Sequence, residues 1–266
     1  MNVIEAIKKG FGVASKSMVL VLVLFLFNLA GNLLSMPFTP TMPAEGGPAA
    51  LPAGLTGAAL IFSIIFILIS IFVQGGTLGL VKDSMKTGSM KLGAMVQYGG
   101  KYYIRLLGIG ILIVLILAIV ALIAGLLIAV SAPLNNPIVT AVAIGVALII
   151  VIAAALKLFI PLTMAPYAVV CEEKGVIGSM KRSLQMMKKP FSRVLTLLLL
   201  VVALVLIALA IGFVIGLVVG LVSVALPAQA GRIVMIVVSS AVNGYLGLVV
   251  TAAFMAFYLA IAKETA

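Results

Sequence analysis

The sequence has 266 residues, of which 65% are apolar and only 9% are charged. Soluble domains are about 45–50% apolar and about 25% charged, so this composition excludes an ordinary soluble domain and indicates an integral membrane protein. The 17 basic residues against 6 acidic ones give a net charge of +11, and the chain has no histidine and one cysteine. These counts exclude histidine acid–base chemistry, histidine-ligated metals, cysteine-cluster zinc sites and internal disulfides. We therefore expect no cofactor and no nucleic-acid partner.

Six apolar runs are long enough to cross a bilayer, which takes about 20 residues of helix. They cover residues 18–36, 57–81, 103–130, 137–165, 194–226 and 233–262. The runs are continuous rather than alternating in polarity, which favours helices over a closed barrel. The sequence thus predicts an all-α, polytopic membrane protein whose single domain, residues 1–266, holds six transmembrane helices.

The basic residues predict how these spans are oriented. Fifteen of the 17 lie in four segments: before span one, between spans two and three, between spans four and five, and after span six, with some at the first turns of a span. The intervening loops 37–56 and 131–136 have none. Positively charged loops stay in the cytoplasm, so we predict a multi-pass protein of the cytoplasmic membrane with both termini inside. The first apolar run exceeds the 7–15 residues of a signal peptide, and we expect it to be retained.

A short repeat accompanies this layout. The tetrapeptide Gly-Ser-Met-Lys occurs at 88–91 and again at 178–181, each time in a basic segment before an odd-numbered span. A weaker third version lies near the N-terminus, around Lys8 and Lys9. We predict three units of about 1–82, 83–170 and 171–266, each an amphipathic interfacial helix followed by a transmembrane hairpin.

The segment after residue 175 shows the amphipathic pattern most clearly. On a helical wheel, Val176, Ile177, Met180, Leu184 and Met187 form an apolar face, and basic residues lie opposite. Such a helix suits the membrane interface, where basic side chains meet anionic headgroups. The alternatives are a topology determinant or a docking site for a protein partner. The predicted anionic-lipid contacts are Lys181, Arg182, Lys188, Lys189, Arg193, Lys91, Lys8 and Lys9.

The stretch from Pro166 to Ser183 resembles a signature of prokaryotic six-span membrane proteins. In that pattern a proline near the end of a span precedes an acidic residue, a glycine, a small residue and then Arg-Ser. Here the matching residues are Pro166, Glu172 or Glu173, Gly175, Ser179, Arg182 and Ser183. The group includes the membrane domain associated with glycerophosphoryl diester phosphodiesterases and related uncharacterised families. The resemblance implies a six-span fold but no phosphodiesterase activity, because no catalytic domain is present.

Polar residues within the spans form a second predicted site. Lys157 lies in span four, where a charged side chain is costly unless it snorkels or binds a partner, and Gln74 of span two is the predicted partner. Pro161 and Pro166 should kink span four. Asn28 and Asn32 share one face of span one, and Asn243 in span six should lie at a similar depth. These amides fit either an interhelical hydrogen-bond cluster or a solute pathway.

Small residues predict where helices approach closely. Span five carries Gly212, Gly216 and Gly220, and span six carries Ala252, Ala256 and Ala260 at the same spacing. Ridges of this kind allow helix backbones to pack tightly. We expect these two faces to pack against each other or against another helix.

The function favoured by these features is a non-enzymatic, structural, lipid-interacting or assembly role in the membrane. The alternative is a transporter or channel for a small or lipid-like solute, which the repeat and the intramembrane polar residues would suit. An enzyme is disfavoured because no nucleophile–base constellation is visible. Anionic membrane lipids are the expected partners, whereas homo-oligomers and protein partners stay open.

Overall fold

A computed structural model describes residues 2–38, 53–131, 133, 136–187, 191–223 and 228–264. All regular secondary structure in these ranges is helical. Six helical stretches are long and apolar enough to cross a membrane, namely Met18–Phe38, Leu55–Thr87, Ala94–Ser131, Pro137–Glu172, Phe191–Val218 and Ala230–Lys263. The predicted all-α fold with six candidate spans is confirmed, and the chain is a multi-pass membrane protein.

The described helices are numbered in chain order. They are α1 (Val3–Lys16), α2 (Met18–Ser35), α3 (Ala53–Thr87), α4 (Ala94–Ser131), α5 (Pro137–Ala154), α6 (Ile160–Leu162), α7 (Ala165–Glu172), α8 (Val176–Met186), α9 (Phe191–Ser223) and α10 (Ala228–Glu264). The chain divides into two compact units. The first comprises Met1–Gly100 and Leu197–Phe257, and the second comprises Lys101–Thr196 and Tyr258–Ala266.

Several helices are longer than the apolar runs that predicted them. The longest, α4, has 38 residues and is therefore about 57 Å long, against about 30 Å for the hydrocarbon core of a bilayer. It begins at Ala94, nine residues before the apolar run, and its first turns carry Lys101 and Arg105. Charged first turns followed by an apolar run indicate a span whose end extends beyond the hydrocarbon region.

The fourth span is broken as its prolines predict. Asn136 caps α5 by accepting hydrogen bonds from the N–H groups of Ile138 and Val139. A π-helical turn, Ala155–Phe159, then separates α5 from α6. Proline has no N–H to donate and its ring clashes with the preceding turn, so Pro161 accounts for the wider turn directly before it. Pro166 lies in the first turn of α7, a position that tolerates proline.

The middle repeat unit differs from the prediction. The sequence predicts that this unit, which begins at about residue 83, starts with a separate amphipathic helix. Instead, α3 ends at Thr87, a connection follows, and α4 begins at Ala94 as the start of the span itself. Gly88 has a φ of 71°, a left-handed conformation that ends helices. The other copy of the tetrapeptide, at 178–181, lies inside α8.

Candidate functional site

Glu172 is the centre of a polar cluster in the second unit, at the end of α7. Its Oε1 accepts a hydrogen bond from the Tyr258 hydroxyl at 2.5 Å and from Arg182 Nε at 3.1 Å. Its Oε2 lies 2.8 Å from Lys174 Nζ. The Tyr258 side chain is 1% exposed, and its ring stacks on that of Tyr167. The carboxylate therefore ties together α7, α8 and the last turns of α10.

Glu173 ends α7 and contacts α4. It has a φ of 54°, the left-handed conformation that closes a helix C-terminus. Its side chain lies 2.6 Å from Lys101 Nζ, and its carbonyl oxygen accepts a hydrogen bond from Arg105 Nη1 at 2.8 Å. Lys101 and Arg105 of α4 thereby bind the connection between α7 and α8.

Two serines dock α8 onto the second unit. Ser179 and Ser183 are both fully buried. The Ser183 hydroxyl donates to the carbonyl oxygen of Pro161, and the Ser179 hydroxyl donates to that of Lys174 at 3.3 Å. Small side chains allow the helix to approach closely, and each buried hydroxyl is satisfied by a backbone carbonyl.

The resemblance signature thus has a structural explanation in this chain. Of the two acidic candidates, Glu172 binds Arg182, while Glu173 caps α7 and faces α4. Gly175 begins α8 as its N-cap residue, and Ser179 and Ser183 are its docking contacts. Glu172 and Arg182 bond to each other, and Ser179 and Ser183 bond to backbone carbonyls of Lys174 and Pro161, so these signature residues hold α8 against α6 and α7.

The outer surface of α8 combines apolar and basic side chains. Its buried residues are Ser179, Ser183 and Met186. Ile177, on the predicted apolar face, is 64% exposed, and Lys181 is exposed beside it. Of the predicted apolar face, Ile177 is exposed, Val176, Met180 and Leu184 are half-buried, and Met187 is buried. Ser179, Ser183 and Met186 make the buried contact within α8 itself.

The N-terminal helix α1 has the same construction in the first unit. Its buried residues are Val3, Ala6, Gly10 and Ala14. A Cβ atom at Gly10 would lie 2.4 Å from the carbonyl oxygen of Val249, so α1 and α10 are in close backbone contact. Ile4 is 55% exposed, and Lys8 and Lys9 are exposed with it.

The remaining predicted lipid contacts are placed differently from one another. Arg182 is paired with Glu172, with its Nε 3.1 Å from Oε1. Lys91 is exposed in the connection between α3 and α4, and Arg193 is exposed in the first turn of α9. Lys188 and Lys189 lie outside the described residues.

The predicted intramembrane amides meet in a polar cavity of the first unit. The cavity has a volume of about 250 Å³ and is lined by Asn28, Gln74 and Asn243. Three hydroxyl residues that the sequence analysis did not single out, Ser70, Thr77 and Thr251, also line it. Three helices, α2, α3 and α10, supply these polar groups, and none of them is charged.

Asn32 does not line this cavity, and Lys157 belongs to the second unit. Asn32 Nδ2 donates to Ser240 Oγ at 2.9 Å, which links α2 to α10 one turn before Asn243. Lys157 is exposed in the π-helical turn of the second unit. Gln74 belongs to the first unit, and its pairing with Lys157 stays a prediction.

The small-residue ridges are only partly packed. A Cβ at Gly216 would contact the tip of Met235 on α10, at 3.2 Å, whereas one at Gly212 would have no described atom within 4 Å. Instead, an apolar groove of about 720 Å³ lies between α9 and α10 at this level. Ala252 and Ala256 are buried and Ala260 is half-buried. The surroundings of Gly220 lie outside what the structure describes.

Sequence reasoning missed Tyr258 and the three hydroxyl residues of the cavity. Tyr258 is 86 residues from Glu172 along the chain, and nothing in its neighbours marks it as a partner. Serine and threonine inside spans commonly bond to their own helix carbonyls, so their positions alone do not predict a cavity. Comparing the polar side chains that lie at the same depth in spans one, two and six would have predicted the cavity.

The described residues contain no group of three or more histidine, cysteine, aspartate or glutamate side chains able to hold a metal. In the Glu172 cluster three donors already occupy the carboxylate, so the cluster is built for holding helices together.

Comparison with known proteins places the chain in a family. No curated protein and no solved structure matches it. A family model described as a domain of unknown function, DUF7847, matches residues 1–261, nearly the whole chain. The chain therefore belongs to the DUF7847 family, here as a polytopic membrane protein with six candidate spans.

Proposed function

We propose that this protein is a non-enzymatic membrane protein that binds anionic lipids through two interfacial helices, α1 and α8. One observation carries the proposal: each helix docks through a face of small residues, which leaves an apolar residue and lysines exposed together. The pairs are Ile4 with Lys8 and Lys9 on α1, and Ile177 with Lys181 on α8. A helix of this kind inserts its apolar side at the acyl boundary and keeps its lysines among headgroups.

Charge supports the choice of lipid. Each lysine or arginine near an anionic surface contributes about 1 kcal/mol to attraction, and the chain carries a net charge of +11. In this proposal both helices lie at the cytoplasmic leaflet, where the basic loops predict them to be. The docked small-residue faces would hold the lysines in fixed positions, so headgroups would be retained at these two places.

The test is lipid retention by the reconstituted full-length protein. Replacing Lys8, Lys9 and Lys181 by glutamine should reduce phosphatidylglycerol retained in native mass spectrometry, and high salt should reduce it in the unmodified protein. The matched control replaces Lys82, Lys86 and Lys263 by glutamine, which removes the same charge outside α1 and α8. Equal loss of lipid from both triple variants would show that net charge alone is responsible and would refute the proposal.

A second candidate function, a transporter or channel for a small or lipid-like solute, is favoured by the polar cavity around Asn28, Gln74 and Asn243. Uptake of a neutral solute such as glycerol into proteoliposomes would support it. Replacing Gln74 by leucine should then abolish that uptake. Uptake equal to that of protein-free liposomes would reject transport of this solute class.

The resemblance to the membrane domain associated with glycerophosphoryl diester phosphodiesterases agrees with a lipid-facing role. We propose that the two families are related, and the support is that the signature residues make structural contacts here, Glu172 with Arg182 and Ser183 with Pro161. Protein partners and homo-oligomers are compatible with the same surfaces. Cross-linking in native membranes would identify them.

A further inference from the structure

The apolar groove and the polar cavity of the first unit share part of their lining. The groove lies between α9 and α10, where Val205, Leu209 and Phe213 face Met235 and Leu246. The polar cavity lies between α10 and helices α2 and α3. Asn243 and Gly247 line both, so a long apolar space and a small polar space adjoin at one turn of α10.

The polar cavity offers neutral hydrogen-bonding groups of both kinds. The hydroxyls of Ser70, Thr77 and Thr251 donate to carbonyl oxygens of their own helices at 2.7–2.9 Å, which leaves their oxygen lone pairs as acceptors. Asn28 Nδ2 donates to the Leu24 carbonyl at 2.8 Å. The amides of Gln74 and Asn243 supply both donors and acceptors. A hydroxyl group, which donates and accepts, suits such a lining.

The lining also excludes other kinds of headgroup. Every described residue that lines the groove or the cavity is uncharged. A phosphate, carboxylate or ammonium group there would lack a counter-charge, and an unpaired charge in an apolar setting is costly. A pure hydrocarbon would leave the amides at the junction without partners, which is also unfavourable inside a membrane.

We propose that this unit binds an uncharged, hydroxyl-bearing lipid, with its chain in the α9–α10 groove and its hydroxyl groups in the cavity at Asn28, Gln74 and Asn243. The groove volume of about 720 Å³ falls within the range of known ligand sites, about 300–1,000 Å³. This site is separate from the lysines of α1 and α8, and it does not depend on their binding anionic lipid.

Gly247 provides the sharpest test, because it lies where the two spaces meet. A Cβ at Gly247 would have no described atom within 4 Å, so a larger side chain would fill ligand space without forcing the backbone to move. Gly145 of α5 is equally open and lines neither space. The pair Gly247→Leu and Gly145→Leu therefore compares blockage of the site with a leucine added elsewhere.

The probe is monoolein, a monoacylglycerol, titrated into the purified full-length protein and followed by native mass spectrometry. We expect one molecule to bind, Gly247→Leu to weaken binding at least tenfold, and Gly145→Leu to leave it unchanged. Asn243→Leu should also weaken monoolein binding about tenfold, the effect of losing one or two hydrogen bonds.

Two further probes define the chemical class. An alkene of matched chain length lacks the hydroxyls, and phosphatidylglycerol carries a charge; both should bind at least tenfold more weakly at this site. Three results would each overturn the proposal. The alkene could bind as tightly as monoolein, phosphatidylglycerol could bind more tightly than monoolein in a manner that depends on Gly247, or Gly247→Leu could bind monoolein as tightly as the unmodified protein. If Gly247→Leu does not fold, Gly212→Leu takes its place, because a Cβ at Gly212 also has no described atom within 4 Å. This variant should weaken monoolein binding to the same degree, and unchanged binding would overturn the proposal.

Discussion

Single residues determine whether the N-terminal helix α1 stays attached to the protein. At Gly10 the neighbouring atom is the backbone carbonyl of Val249, at 2.4 Å from an added Cβ, and a backbone atom cannot move aside as a flexible side chain can. Gly12, on the same helix, would have no described atom within 4 Å of its Cβ.

Replacing Gly10 by alanine should therefore destabilise the protein by about 1–3 kcal/mol, the usual cost of overpacking. Gly12→Ala should be neutral or slightly stabilising, because alanine favours helix. Equilibrium unfolding in mixed micelles would measure both. If the two variants unfold alike, α1 does not contact α10 as described.

The two neighbouring glutamates provide a second comparison. Glu172 is partly buried and holds three donors, whereas Glu173 is half exposed where it pairs with Lys101. Glu172→Gln should lower the free energy of unfolding by about 1–3 kcal/mol. Glu173→Gln should lower it by less than about 1 kcal/mol, as exposed pairs do. A larger loss from Glu173→Gln would contradict the central role given to Glu172.

The helices show which features a sequence can predict. Hydropathy located all six spans, because each continuous apolar run needs lipid around it and satisfies its backbone as helix. The two prolines predicted the break in span four, since neither can donate to the helix ladder. The wheel placed Ile177 on an apolar face and Lys181 among the basic residues of α8, and both side chains are exposed, whereas Met187 of the same apolar face is buried.

Other elements could not be predicted because they depend on distant contacts. Ser179 and Ser183 are polar, so the wheel gave no reason to bury them, yet their small size and the carbonyl of Pro161 make them the docking face. In the middle unit, Gly88 ends α3 while Gly178 sits within α8, although the local tetrapeptide is the same. The flanking sequence and the packing of each copy decide between these conformations.

The docking of α8 has a direct test. Ser183 is fully buried whereas Gln185 is exposed, so Ser183→Leu should displace α8 and Gln185→Leu should not. Amide hydrogen exchange over Val176–Met186 should accelerate at least about tenfold in the first variant, because a detached short helix is marginally stable. Slow exchange in both variants would show that α8 does not rely on its serine face.

At the scale of the whole molecule, we propose that this multi-pass membrane protein meets lipids at two kinds of site. The lysines of α1 and α8 would bind charged headgroups at the surface, and the α9–α10 groove with its polar cavity would bind a neutral lipid within the membrane. Both assignments require the six candidate helices to cross the bilayer with the basic connections on one side.

Labelling of single cysteines tests that requirement most directly. With Cys171 replaced by serine, cysteines introduced at Ser15, Ser89 and Gly175 should react with a membrane-impermeant maleimide only after the cytoplasmic side is opened. Cysteines at Thr41 and Asn135, in the loops without basic residues, should react in intact cells. Labelling of Ser89 and Gly175 positions from opposite sides of the membrane would contradict the six-span arrangement and, with it, the placement of both lipid sites.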